Sequence, residues 1–442
     1  MGGGDIIKFS FVYLVVIGII TGFLTNEYLL MVPLVVLFSA IVLCFSGAHA
    51  VPAADRKFLF LLGLGALLVR LLFIVATNSF DTSFINYVKT SDALYYEYIG
   101  RVISETWQAG SPVEIHKNNF GYQYWNGMIY YLVGFKPALI CVLNSITSVC
   151  IALNLYFISL KLSGSRAARI CFVLAAYFPS SILWSSLNLK DTFVIFLITL
   201  IVRQTVELIE KFKFEKVIFM CLLLMLLVSM RFYAGILLGI CISLSYIFTA
   251  TKFPWWRRVI YTLVLFIVAG TALQQMGYGF MGTDYIFSQN LETIGEQHQK
   301  GAYGESAFAE NVAFDSYASA LKYLPLGIFY FLFAPLPWQS MGAIRILTLP
   351  EMIFLYFLYT YLVAGFRHLW QTQRSACLFL LLVIVSFGFI YSLGASNIGG
   401  IYRVRLQVIM IAFIFISEGL QRSWALVKIF NRIINRKTIP DY

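Results

Sequence analysis

Lys89-Thr90-Ser91-Asp92-Ala93-Leu94-Tyr95-Tyr96-Glu97-Tyr98-Ile99-Gly100 lies at the centre of the first long break, about residues 78–134, in a chain otherwise dominated by apolar runs of membrane-spanning length. From Asp92 to Trp107 the pattern is helical: Tyr95, Ile99, Val102, Ile103 and Thr106 fall on one face, and Glu97, Arg101, Glu105 and Gln108 largely on another. Such a helix lies in the membrane interface, with its tyrosines and tryptophan at headgroup level. Asp92 falls in its first turn and faces the same way as Tyr95 and Tyr96. An Asp after Thr90 and Ser91 suits an ordinary helix start, where it complements the helix dipole, and it also suits a carboxylate presented at a membrane surface.

The surrounding chain decides the class. Of 442 residues, 60% are hydrophobic and 12% charged, about half the usual charged fraction, so the chain cannot cover itself as a soluble globule. Apolar runs recur with a helical rather than an alternating period. The sequence predicts about twelve spans, at 7–24, 28–46, 58–77, 135–160, 168–185, 191–208, 217–230, 233–250, 259–275, 349–366, 376–393 and 406–420. Two shorter apolar pieces, 120–133 and 323–336, suit interfacial or re-entrant segments. No small-residue cleavage site follows the first run, which therefore reads as a permanent span rather than a signal peptide. The expectation is one all-α, polytopic transmembrane domain over 1–442. It divides into two extra N-terminal spans (1–57), a first outer loop (78–134), core spans (135–275), a long outer loop (276–348), three last spans (349–420) and a basic cytoplasmic tail (421–442).

With the N-terminus inside, 20 of the 32 Lys and Arg fall on the inner side and 11 on the outer, although the outer loops are far longer. The positive-inside rule then places both termini in the cytoplasm. The net charge of +11 follows from topology and anionic membrane lipid and asks for no nucleic acid. All seven cysteines fall inside predicted spans as packing residues, and the four histidines are scattered without ligand spacing, so neither a disulfide framework nor a metal site is expected. No Walker or dinucleotide-binding glycine motif is present.

Several charged residues depart from the anchor pattern. Arg70 lies inside the third span, roughly 10 Å deep at 1.5 Å per residue. A bare Arg there costs at least ~2.5 kcal/mol, so it should snorkel outward or face a polar cavity. Lys190, Arg231, Arg403 and Arg405 each sit at the outer end of a span, the side the positive-inside rule disfavours. One such residue is ordinarily an anchor; four around one cavity suit a grip on an anion. Arg403 and Arg405 both precede an apolar span, and in an extended approach they would point the same way. Asp191 either neutralises Lys190 or caps the helix that follows. Tyr95, Tyr96, Arg70 and Glu351, the last just past Pro350, are candidates for sugar or acceptor contacts. The long segment 277–345 reads as a lid over the acceptor site, with Tyr303, Phe308 and Phe314 able to stack on sugar faces or to pack against the membrane.

Ser91-Asp92-Ala93-Leu94-Tyr95-Tyr96 is followed by Gly121-Tyr122-Gln123-Tyr124-Trp125, Leu132-Val133-Gly134, Arg166-Ala167-Ala168, Tyr177-Phe178-Pro179-Ser180-Ser181 with Trp184, and Leu189-Lys190-Asp191. In that order the pieces resemble the polytopic GT-C glycosyltransferases, the superfamily of protein mannosyltransferases, aminoarabinose transferases and many bacterial lipid-carrier-dependent sugar transferases. Phe333-Ala334-Pro335-Leu336-Pro337-Trp338 and Tyr402-Arg403-Val404-Arg405 resemble late motifs of bacterial members. The resemblance spans roughly residues 81–420. Two departures stand out: the acidic loop follows the third predicted span rather than the first, and the neighbour of Asp92 is Ser91 rather than a second acid.

The resemblance implies transfer of a sugar from a polyprenyl-phosphate(-linked) donor to a glycan, lipid or protein acceptor on the extracytoplasmic side of a bacterial inner membrane. Such transfer requires a carboxylate to take the acceptor hydroxyl proton, for which Asp92 has the right type and place. The leaving phosphate needs cations, supplied by Lys190, Arg231, Arg403 and Arg405. No cofactor is assigned, and a divalent cation, Mg or Mn, is compatible with the reaction. Two other readings share the topology. An O-antigen or exopolysaccharide polymerase or ligase would use a polyprenyl-diphosphate oligosaccharide. A lipid-linked sugar flippase or transporter predicts inverted halves with ionisable residues near mid-membrane, whereas here the charges gather at the outer face.

Overall fold

The computed structural model describes residues 31–79, 91–113, 120–211, 213–248, 254–260, 316–338, 345–394 and 397–423. The first expected span, nearly all of the ninth, most of the long outer segment with Tyr303, Phe308 and Phe314, and most of the basic tail lie outside them. The main helices are α1 (Met31–Phe45), α2 (Ala53–Ser79), α3 (Ser91–Gln108), α4 (Gly121–Val133), α5 (Pro137–Ser163), α6 (Ser165–Tyr177), α7 (Pro179–Ser185), α8 (Asp191–Glu210), α9 (Phe214–Met230), α10 (Phe232–Phe248), α11 (Tyr317–Phe333), α12 (Arg345–Thr372), α13 (Arg374–Gly394) and α14 (Ile398–Arg422). Six of them, α2, α5, α8, α12, α13 and α14, are long and apolar enough to cross a membrane.

Local sequence sets the boundaries. Gly134 and Gly164, at φ +79° and +89°, end α4 and α5 in conformations that favour glycine. Pro137 and Pro179 open α5 and α7, where a missing N–H costs nothing. Asn397 caps α14, its side chain accepting from the Gly399 N–H at 2.8 Å.

α5 and α14 form the core and are buried almost all round, as helices apolar on every face should be. α14 packs against α12, α6 and α13. Where α12 crosses α14 the backbones touch: a Cβ on Gly365 would lie 1.8 Å from the Phe415 carbonyl oxygen, and one on Gly419 2.0 Å from that of Tyr361. Small residues permit this close approach in membrane helices. α3 and α4 pair similarly, Gly100 against Asn126 and Gly127 against Ile103. The buried face of α3 is therefore Ala93, Tyr96, Gly100 and Ile103, and Tyr95 and Val102 of the expected face are exposed. The small residues, not the bulky ones, decide which side meets α4.

The expected span 168–185 is broken. Pro179 lacks an N–H and holds Phe178 extended (φ −63°, ψ 128°), so α6 and α7 meet at a bend of 51°. A continuous helix would have bonded the Ser180 N–H to the Ala176 carbonyl. Instead Ser180 N donates to Glu351 Oε2 at 2.6 Å, and the Ala176 oxygen accepts from Arg70 Nη1 at 2.8 Å. Two charged side chains from other helices thus satisfy the groups that the break orphans.

At one end of the bundle Asp55 pairs with Arg169, Lys161 with Glu210, Glu207 with Lys216 and Arg203, and Glu418 with His368 and Arg422. The segments carrying Asp92, Lys190, Arg231 and Arg403 converge at the other.

Candidate active site

Segment 186–190, between α7 and α8, is held from below by amides buried in the bundle. Asn144 of α5 donates to the Leu187 and Leu189 carbonyls at 2.8 and 3.1 Å. Asn188 accepts from Tyr122 at 2.9 Å and donates to Asn126 Oδ1 at 2.9 Å, both on α4. Such a buried hydrogen-bond network holds a loop in one conformation. Lys190 and Asp191 leave it in a fixed position at the start of α8, where a carboxylate complements the helix dipole.

Asp191 is the hub. Arg231, from the turn between α9 and α10, reaches Asp191 Oδ1 with Nη2 at 2.9 Å. Arg403 of α14 lies with Nε 3.0 Å from Asp191 Oδ2 and Nη1 2.7 Å from Asp92 Oδ2 on α3. One guanidinium therefore bridges two carboxylates from different helices. The cluster runs inward from Asp92, whose side chain is 48% exposed, to Asp191 at 1%. The Lys190 ammonium lies 5.9 Å from the ring centre of Tyr96. Burial pushes Lys190 down to about 8, with the Arg231 charge adding to the effect and Asp191 opposing it. Burial, then the charges of Asp191 and Asp92, raise the Tyr96 hydroxyl. Three cations against two carboxylates leave one positive charge at the mouth of the bundle.

The structure thus brings together Asp92, Tyr96, Lys190, Arg231 and Arg403, and adds Asp191 at the centre. It places the other candidates elsewhere. Arg405 does not point with Arg403: α14 begins before both, and two helical positions turn a side chain by about 200°. Its buried guanidinium donates to the Phe331 carbonyl at 3.2 Å, to the Ala334 carbonyl and to Met352 Sδ. Glu351 is buried, accepting from Ser180 N and from Tyr402 at 2.7 Å. Arg70 neither snorkels nor lines an open cavity; it bonds Ala66, Ala176, Ser148, Ser181 and Ser185. Tyr95 is on the exposed side of α3. Asn144 and Asn188 escaped the sequence reading, and the signal was an amide in the middle of an apolar span and another beside Lys190.

Among the described residues no group of three or more His, Cys, Asp or Glu side chains comes together as metal ligands. Both carboxylates of the cluster are engaged by guanidinium groups.

No protein-family model matches the chain, and no curated protein is detectably similar in sequence. Its fold is similar to that of ArnT from Cupriavidus metallidurans bound to undecaprenyl phosphate, at 15% identity and TM-score 0.50, over 86% of this chain and 64% of that one. It is also similar to the archaeal oligosaccharyltransferase AglB from Archaeoglobus fulgidus in complex with an inhibitory peptide and a dolichol-phosphate, at 12% identity and TM-score 0.53, over 88% of this chain and 53% of that one. The chain spans less than two thirds of the length of either. It shares the polytopic helical fold of these two proteins.

Proposed function

We propose that the protein is a membrane glycosyltransferase that moves a sugar from a polyprenyl-phosphate-linked donor to an acceptor hydroxyl on the extracytoplasmic side of a bacterial inner membrane, with both termini in the cytoplasm. The observation that carries this reading is the convergence of Lys190, Arg231 and Arg403 on Asp191 beside the half-exposed Asp92, in a fold shared with proteins that bind undecaprenyl phosphate and dolichol-phosphate. A cluster with one excess positive charge, open at the membrane surface, suits a lipid phosphate. The basic excess of the opposite loops supports the orientation.

The chemistry follows from the ion pairs. A donor phosphate competes with Asp92 for Arg403 and releases the carboxylate. Asp92 then takes the acceptor hydroxyl proton as the acceptor oxygen bonds to the sugar carbon. The carbon–oxygen bond to phosphate breaks, and its electron pair stays on the phosphate oxygen, where Arg403, Arg231 and Lys190 stabilise it.

Asp92→Asn tests the base. It keeps the side chain's shape and removes the charge that competes for Arg403, so undecaprenyl phosphate should bind at least as tightly as to the wild type while turnover with an undecaprenyl-phosphate-linked sugar falls ~100-fold or more. Near-normal turnover would return Asp92 to the role of a helix-start residue.

A further inference from the structure

Arg231 is held by more than its pair with Asp191. Its Cζ lies 5.7 Å from the centre of the Tyr233 ring, in the first turn of α10. Tyr233 in turn meets the Tyr391 ring of α13 edge-on, at 6.0 Å between ring centres, and Phe331 and Phe387 also pack on Tyr391. This packing fixes where the Tyr391 hydroxyl lies. On one side it interacts with the Arg231 guanidinium, and on the other it bonds Gln407 of α14.

Gln407 is a buried amide in the apolar run Leu406-Gln407-Val408-Ile409-Met410, on the same face of α14 as Arg403 and about 6 Å further along the helix. Tyr391 Oη donates to Gln407 Oε1 at 2.6 Å, and that bond decides the polarity of the hydroxyl. A guanidinium can only donate, whereas a tyrosine hydroxyl has one proton to give and lone pairs to offer. With the proton taken by Gln407, Tyr391 shows its lone pairs to Arg231. Without the amide, the proton can turn towards the cation and the contact becomes repulsive. Packing alone does not ask for this arrangement, because a Phe and a Leu would fill the same space with no polar atom to satisfy. Arg231 supplies a second sign. Its Nη2 is bonded to Asp191 Oδ1, and its buried Nη1 has no hydrogen-bond acceptor among the described residues. A guanidinium braced on two sides, with a donor left over, is ready for an anion.

We propose that Gln407 and Tyr391 are positioning residues of the lipid-phosphate site: Gln407 takes the Tyr391 proton, the hydroxyl turns its lone pairs to Arg231, and the guanidinium is held with Nη1 presented to the phosphate. The inference rests on the proposed function for its ligand. The two residues act in series and through Arg231, so removing either one breaks the relay.

A double-mutant cycle on the full-length protein tests it, with undecaprenyl phosphate binding read by native mass spectrometry on folded protein only. Tyr391→Phe keeps the ring that Phe331 and Phe387 pack against, and Gln407→Leu keeps most of the side-chain volume. Each should weaken binding by about threefold or more, and the two together no more than the stronger single change. In an Arg231→Met background, itself weaker than the wild type, neither should change the affinity further. A residue that merely packs the bundle would shift both backgrounds alike. Either variant completes the cycle if the other fails to fold. Unchanged affinity in both single variants, or the same loss with and without Arg231, overturns the proposal, and so does failure of both to fold, which would assign the pair to the fold. Wild-type affinity in Arg231→Met itself would instead overturn the reading of Arg231 as a phosphate residue, and the relay would fall with it.

Discussion

Arg403 is the residue that joins the two carboxylates of the site, and its planar fork is what lets it do so. Lysine in its place keeps the charge and loses the second contact, so Arg403→Lys separates geometry from charge. Lys190 supplies a pH-dependent part of the same site. Its free ammonium titrates near 8, well below the ordinary lysine value, and a bound phosphate anion stabilises the protonated form. Affinity for undecaprenyl phosphate should therefore be full below about pH 8 and fall as pH rises from 8 to 9.5. Lys190→Met should bind more weakly at pH 7.5 and lack that fall. For folding the sign is opposite: the unfolded chain binds the extra proton between about 8 and 10.5, so this group's penalty is relieved as pH rises through that window. A Lys190→Met variant with the wild-type pH profile would remove the ammonium from the anion site. That Asp92, Lys190, Arg231 and Arg403 could be picked out from sequence has a physical reason. Each of the three cations stands where an apolar run stops, and outer-end cations contradict the usual charge bias, while Asp92 opens the helix of the first long break.

At the scale of elements, the break between α6 and α7 explains two charges that sequence pattern could not place. Pro179 was visible in the sequence, but the partners of the groups it orphans come from residues 70 and 351, and no local pattern encodes such long-range pairing. Glu351→Leu leaves the Ser180 N–H and the Tyr402 hydroxyl without their acceptor, and should cost about 1–3 kcal/mol for each buried group left unpaired, whereas Glu351→Gln keeps an acceptor and should cost less. Thermal unfolding of the two variants in detergent checks the order; equal losses would show that charge, not the hydrogen bond, matters there. The α12–α14 crossing gives a second test. Gly419→Val puts side-chain atoms where the Tyr361 carbonyl lies, so the helices must separate, and folded yield should collapse. Gly400→Ala, where a Cβ meets nothing within 4 Å, should leave yield unchanged. The mistaken pairing of Arg403 with Arg405 belongs to this scale as well. The sequence suggested a span beginning at 406, but Asn397 caps a helix that starts at Ile398, and the extra turns rotate the arginines apart.

At the scale of the whole molecule, the bundle segregates its charges. Ion pairs that lock helix ends occupy one end, and the cluster with excess positive charge occupies the other. The class and the six helices long and apolar enough to cross could be read from hydropathy because a bilayer demands long apolar helices, a constraint that few side chains can disguise. The interior of the site was harder to read. Asn144 and Asn188 build the platform under Lys190, and amides in apolar spans become interpretable only once their partners are known.

The central claim is that Arg403 and Arg231 hold a lipid phosphate while Arg405 holds the fold. Native mass spectrometry with undecaprenyl phosphate on Arg403→Lys, Arg231→Lys and Arg405→Lys measures it directly, counting only folded protein. Since hydrogen bonds to charged groups contribute about 1.5–3 kcal/mol, the first two variants should bind roughly 10- to 100-fold more weakly. Arg405→Lys should bind as the wild type does, with lower folded yield. Wild-type affinity in Arg403→Lys and Arg231→Lys, or an equal loss in Arg405→Lys, would contradict the account.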